Sequence, residues 1–198
     1  MSERTESGTR LSLLSRARLE DSQAWNELVE LYGPLVAHWC RRCGLPDSLV
    51  ADCVQEVFLA VSRALDTFAP KRNNGAFRAW LWTITSNKVK DTFRRQNPDQ
   101  ADGGSTALIQ IQNVAEDSAI PEDEPTSSNQ LEQLVARGLQ QVRCEFEPRT
   151  WEVFERAVVE QITTSVVAQE FGISAAAVRQ TRSRISRRLR QQLGDLAE

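Results

Sequence analysis

Apolar residues recur every three or four positions over two stretches of the chain, roughly Leu11 to Asn97 and Asn129 to Leu196. Neither stretch holds an alternating strand pattern of useful length. In the first, Trp25, Leu28, Val29, Leu31, Leu35, Val36 and Trp39 stay in helical phase through "SQAWNELVELYGPLVAHWCRRCGL". An interruption is expected at Gly33 and Pro34, and an end at Gly44 and Pro46. The next helix, "DSLVADCVQEVFLAVSRALDTF", starts from Asp47 or Ser48 as cap. It carries Leu49, Cys53, Val57, Ala60 and Ala64 on one face, with Asp52, Gln55, Glu56 and Arg63 off it. A third helix is "GAFRAWLWTITSNKVKDTFRR", where Phe77, Trp80, Leu81 and Ile84 have core spacing and Trp82 lies off the stripe. Three such helices make one compact module.

The second stretch has a different rhythm. "TWEVFERAVVEQIT" puts Trp151, Phe154, Val158 and Ile162 on one helical stripe. After the polar break "TTS", a short helix turns Val167, Ala168 and Phe171 inward and ends at Gly172, a residue free to adopt positive φ. Ser174 is placed to cap a final helix with Val178, Ile185, Leu189, Leu193 and Leu196 on its core side. A short helix, a glycine turn and a longer helix form a helix-turn-helix pattern, with Thr181 standing where an aliphatic residue is usual.

Charge divides the chain further. No Lys or Arg occurs from Gln96 through Ala136, while Asp99, Asp102, Glu116, Asp117, Glu122, Asp123, Glu124 and Glu132 are acidic. With its Pro, Gly and Ser, this segment reads as an acidic linker over residues 98–128. "ISAAAVRQTRSRISRRLRQQL" is the opposite, with six arginines and no acid in a chain of net charge -3. In a helix-turn-helix setting that points to DNA. Residues from Ser174 to Arg184 (Ala175, Ala176, Arg179, Gln180, Arg182 and Ser183 among them) would enter the major groove, while Arg187, Arg188 and Arg190 would meet phosphates. The alternative is a solvated charged face.

The fold expected is all-α, two small helical domains at 11–97 and 129–198 joined by the flexible linker, after a disordered polar start at 1–10. That start has no apolar signal region, and no stretch nears the roughly 20 apolar residues of a membrane span. A cytoplasmic protein is expected, with Cys40, Cys43, Cys53 and Cys144 as reduced thiols. "HWCRRC" brings His38, Cys40 and Cys43 close in sequence, but on a helix His38 points away from the two cysteines and no second CxxC exists. Without a nucleotide loop, a GxSxG or a partner for the single His, neither an enzyme nor a cofactor is expected.

"ADCVQEVFLAVSRAL", then "FRAWLWTITSNKVKDTFRR", then an acidic linker and a helix-turn-helix ending "RSRISRRLRQQL" together resemble a bacterial RNA polymerase sigma factor of the extracytoplasmic-function group. The resemblance covers nearly the whole chain and keeps regions 2 and 4 in order. It implies that Asp52, Gln55, Glu56 and Phe58 dock on the clamp helices of the polymerase largest subunit. It also implies that the segment from Thr67 to Arg95 reads and opens the −10 element. Asn73, Asn74 and Asn87 would face bases, Lys71, Arg72, Arg78, Lys88, Arg94 and Arg95 the backbone, and Trp82 an exposed base. Region 4 would hold the −35 element. The two elements lie about 85 Å apart along duplex, and a linker of about 30 residues can reach roughly 100 Å. Core polymerase, promoter DNA and an anti-sigma factor are the partners implied. A stand-alone helix-turn-helix regulator is the competing reading, and would need a dimerisation helix that the sequence does not display.

Overall fold

Side-chain caps set some of the helix starts in the computed structural model, which describes residues 12–68, 76–96 and 123–194. Ser12 caps α1 (Leu13–Arg18). The Asp21 carboxylate accepts from the amides of Gln23 and Ala24 at 3.0 and 3.1 Å and so caps α2 (Ser22–Arg42). The remaining helices are α3 (Asp47–Ala64), α4 (Ala76–Gln96), α5 (Ser128–Arg143), α6 (Pro148–Phe154), α7 (Thr164–Phe171) and α8 (Ala175–Leu193). A 3₁₀ turn occupies Leu65–Thr67 and a π turn Glu155–Val159. No strand occurs among the described residues, in keeping with the all-α expectation. Residues 1–10, Lys71 to Asn74, Leu196 and all but the last positions of the linker lie outside the described residues.

Two compact units emerge, Leu28–Leu134 and Met1–Glu27 with Val135–Ala197. Apolar periodicity assigns residues 11–27 to the first module, whereas their described part groups with the C-terminal helices.

In the Leu28–Leu134 unit, α2 runs through Pro34 without the expected interruption. Leu28, Leu31, Leu35, Val36 and Trp39 are buried on both sides of the proline. Each buried large apolar side chain contributes about 1.5–3 kcal/mol, which together exceeds the local cost of about 3 kcal/mol for an interior proline. α3 begins with no side-chain cap, because the cap position falls on Pro46, which carries no side-chain acceptor, and Asp47, expected as a cap, is the first helical residue and pairs with Arg41 at 2.7 Å. Phe77 of α4 anchors an aromatic cluster, with ring centroids 5.0 Å from Tyr32 and 5.6 Å from both Phe68 and Trp80.

The other unit is organised around α6. Trp151 and Phe154 pack with Val142 and Ile185 on one side, while Val153 packs with Val167, Ala168 and Val178 on the other. The single stripe expected through Ile162 is therefore split. α6 ends at Phe154, the π turn rotates the chain, and Val158 joins the first cluster while Ile162 joins the second. Between α7 and α8 the turn is built as the sequence suggests. Gly172 has φ +63°, the Ile173 amide reaches back to the Ala168 carbonyl at 3.0 Å, and Ser174 Oγ accepts from the Ala177 amide at 3.1 Å.

One arginine of α8 turns away from solvent. Arg188 is 6% exposed; its Nε and Nη2 donate to the two Glu145 carboxylate oxygens at 2.8 and 2.5 Å, and Glu27 lies 3.8 Å away. Gln192 donates to Gln141 at 2.8 Å, and Gln141 in turn to the Glu27 carbonyl at 3.0 Å. The expectation that Arg188 meets a DNA phosphate is corrected: its position beside Ile185 and Leu189 on the core side removes it from water, and the two carboxylates hold it there.

Arg188→Ala should lower the unfolding free energy by about 1–3 kcal/mol, since it removes the charged fork to Glu145 and the buried stem beside Ile185, while exposed Arg187→Ala should stay within about 0.5 kcal/mol of wild type; denaturant titration distinguishes the two. Gly138 is a second tight point, because a Cβ there would overlap the Leu193 side chain. Gly138→Ala is expected to destabilise by about 1–3 kcal/mol through overpacking. Leu193→Ala should cancel part of that loss in the double variant, and additive losses would contradict the assigned contact.

Candidate nucleic-acid and partner interfaces

On α3 the helical rise sorts the docking candidates by face. Asp52 and Gln55 are exposed and Glu56 is partly so, while Val57 and Phe58 turn inward. Phe58 is 5% exposed and its ring edge lies over Gly33 of α2, so its expected role in partner contact is corrected to one in the core. The residue that projects instead is Leu59, 51% exposed and seven and four positions after Asp52 and Gln55. Its signal in the sequence is its place off the stripe of Cys53, Val57 and Ala64, which a large apolar side chain obscures.

α4 buries a wider face than its apolar pattern indicates. Phe77, Leu81, Trp82, Thr85, Ser86 and Val89 all point inward. Thr85 and Ser86 can do so because their hydroxyls donate to the carbonyls of Leu81 and Thr83 at 2.8 and 3.1 Å, leaving little polar penalty. That rotation carries Trp82 into the core at 3% exposure, edge-on to Trp39 with centroids 5.5 Å apart. The expectation that Trp82 stacks on a base is therefore corrected.

The cations of α4 are distributed among acids. Arg78 is half-buried and lies 3.4 Å from Glu124, one of the acids of the expected linker. Arg94 pairs with Asp91 at 3.1 Å. Arg95 donates through Nη1 and Nη2 to the two Glu56 oxygens at 2.8 and 2.9 Å, and Lys88 Nζ lies 3.8 Å from the same carboxylate. The Arg95 fork, with Lys88 behind it, holds the Glu56 carboxyl below its ordinary pKa, and the same hydrogen bond raises that of Arg95. Thus one residue expected to meet a protein partner and three expected to meet DNA are brought together around one shallow cleft, lined by Glu56, Lys88, Asp91, Arg94 and Arg95. Asn87 is exposed on the same helix.

α8 presents the opposite arrangement. Ala176, Arg179, Gln180, Arg182, Ser183, Arg184 and Arg187 are exposed, and Ala175 is half-buried over Val153 and Val167. Ser174 uses its hydroxyl for the cap. Arg184 lies over the Phe146 ring at 5.1 Å, a cation–π contact that fixes its stem and leaves the guanidinium at the surface. Among the described residues no carboxylate lies within ion-pair distance of Arg179, Arg182 or Arg187. Their charge is available to an outside anion.

The cysteines of "HWCRRC" point inward and His38 outward, as the helical spacing requires. Cys40 donates to Cys53 across α2 and α3 with the sulfurs 3.7 Å apart, and burial pushes Cys43 up to about 11. No group of three metal-ligating side chains occurs among the described residues. Among those residues, too, no helix is long and apolar enough to cross a membrane.

The family model for sigma-70 region 2 matches residues 28–98, the span of α2 from Leu28 through α4. The RNA polymerase sigma factor CnrH of Cupriavidus metallidurans is 32% identical over 127 residues, covering 63% of this chain and 65% of that protein. The ECF RNA polymerase sigma-E factor of Escherichia coli K12 is 33% identical over 134 residues, covering 65% and 66%. The alignments therefore span just under two thirds of the length of these relatives. A solved structure of CnrH in complex with the cytosolic domain of CnrY aligns at 25% identity over 89% of this chain and 92% of that one, with a TM-score of 0.37. Residues 28–98 therefore belong to sigma-70 region 2, and the relatives that align with nearly two thirds of the chain are RNA polymerase sigma factors, the one from Escherichia coli of the extracytoplasmic-function group.

Proposed function

We propose that the chain is a transcription initiation factor, without catalytic activity of its own, that binds core RNA polymerase in the cytoplasm and directs it to promoters with −35 and −10 elements. The observation that carries this reading is an order of parts: a region 2 match over residues 28–98 precedes a helix-turn-helix whose second helix exposes Arg179, Arg182 and Arg187. α8 takes the −35 duplex, with Arg179 and Arg182 toward guanine edges and Arg187 toward phosphate. Asp52, Gln55 and Leu59 form an acidic and amide rim around an apolar contact, suited to a helix of the polymerase with basic residues. Lys71, Arg72, Asn73 and Asn74, outside the described residues, are assigned to the −10 strand from the family pattern. Capture of unpaired bases there offsets part of the cost of opening the duplex. An anti-sigma factor covering the α3 face is the regulatory partner that the family implies.

In vitro transcription with purified core polymerase on a genomic fragment library tests the reading. New start sites are expected only when the protein is added. Asp52→Arg/Gln55→Ala should lose them through weaker polymerase binding, while Arg179→Ala/Arg182→Ala should keep polymerase binding and lose about tenfold or more in −35 affinity. Tight duplex binding without any polymerase-dependent start site would replace this reading with a stand-alone regulator.

A further inference from the structure

The cleft on α4 has the chemistry of an anion site, and its present occupant is a side chain of the same unit. Arg95 offers both terminal nitrogens in a fork to Glu56, at 2.8 and 2.9 Å, and Lys88 approaches from two turns earlier at 3.8 Å. Arg94 lines the cleft beside them and is itself paired with Asp91. A guanidinium fork receives two oxygens of a phosphodiester with the same geometry as two oxygens of a carboxylate. The pair is not sealed, since the Arg95 and Glu56 side chains are 58% and 35% exposed, so exchange with an outside anion needs no rearrangement of the core.

We infer that Lys88 and Arg95 form a binding site for one phosphate of a single-stranded nucleic acid, and that the Glu56 carboxylate occupies this site in the free chain as an internal stand-in. The phosphate site stands on the geometry of the cleft, and its regulation rests on the proposed function. α3 carries Glu56 next to Gln55 on the face assigned to polymerase, so a partner cation that draws Glu56 away empties the site for the strand. Binding of polymerase and of the strand are then positively coupled through one carboxylate. In the free chain, stray capture of single strands, which is blind to sequence at the phosphate, is suppressed.

The experiment uses the full chain and a fluorescent single-stranded DNA of mixed sequence, monitored by anisotropy across a salt series without polymerase. Glu56→Gln should tighten binding by about three- to tenfold at low salt and steepen the log–log salt dependence by about 0.7 for each phosphate gained. Adding Arg95→Gln to that variant should abolish the gain. Asp66→Asn, an exposed change of the same charge just after α3, controls for net charge and should show no gain. The inference is overturned if Glu56→Gln binds no more tightly than wild type, if Asp66→Asn gives the same gain, or if the gain survives loss of Arg95. Because no polymerase is present, these outcomes are independent of the transcription assay. Start sites with no gain for Glu56→Gln would leave the sigma-factor reading intact and remove the stand-in.

Discussion

A guanidinium next to an apolar core keeps its charge, so it must find an anion there or stay out. Arg188 meets that constraint by gathering acids from distant parts of the chain. It sits on the core side of α8 beside Ile185, and its placement fixes Glu145 just past the end of α5 and Glu27 in α2, with Gln192 and Gln141 completing the polar seam. Arg16 of α1 also donates to Glu27, at 3.0 Å, so the small first helix is held by the same acid. One buried cation thus helps to tie the residues before Leu28, whose Leu13, Ala17 and Ala24 are buried as well, to the C-terminal helices with which they group. Removing the charge and its partners together would leave a looser specification of how α1, α5 and α8 register, because apolar packing alone tolerates rotation that a bidentate pair does not.

The same rule sorts the remaining arginines, and net charge gives no hint of the result. Arg95 and Arg78 on α4 each lie against a carboxylate of their own unit, Glu56 and Glu124. Arg179, Arg182 and Arg187 on α8 stand in water, where an ion needs no partner. Six arginines in one run therefore divide by helical phase. Counting three and seven residues back from Arg188 leads to Ile185 and Thr181 on its inward side, whereas Arg187 and Arg184 share the outward one.

Much of this was legible in the sequence. Helical periodicity, the glycine that must take φ +63° and the serine that caps α8 are local features, decided by residues within one turn of each other. The apolar side of α8 at Val178, Ile185 and Leu193 follows from spacing alone. What escaped depends on pairs distant in sequence. Pro34 stays helical because the leucines on either side of it are buried in the folded unit. Trp82 is buried because Thr85 and Ser86 can satisfy their hydroxyls on their own helix and so widen the inward face. Phe58 is drawn in against α2, where Gly33, 25 positions earlier, is its neighbour, and nothing along α3 announces that contact. Arg188 is the extreme case, since nothing in "RSRISRRLRQQL" announces the acids 43 positions away or in α2.

Under the proposed function, with α8 on duplex and α4 on a single strand, leaving the cations of one helix bare and covering those of the other matches the different demands of the two nucleic-acid forms. A duplex displays base edges in its major groove, so an exposed arginine on α8 can discriminate among sites, and weak contacts to wrong sequences are released quickly. A single strand offers stacking faces and phosphates that every sequence shares, so a bare cationic cleft on α4 would hold any unpaired strand it met. A carboxylate in that cleft weakens every such encounter by the same factor. It leaves the productive one intact if polymerase contact moves the carboxylate at the moment DNA opens. The pair of Glu56 and Arg95 suits that exchange because it is largely solvated: water and salt screen its attraction, so an outside anion competes for the fork on nearly equal terms. The pair of Arg188 with Glu145 could not serve, since parting it would strand the buried guanidinium beside an apolar core.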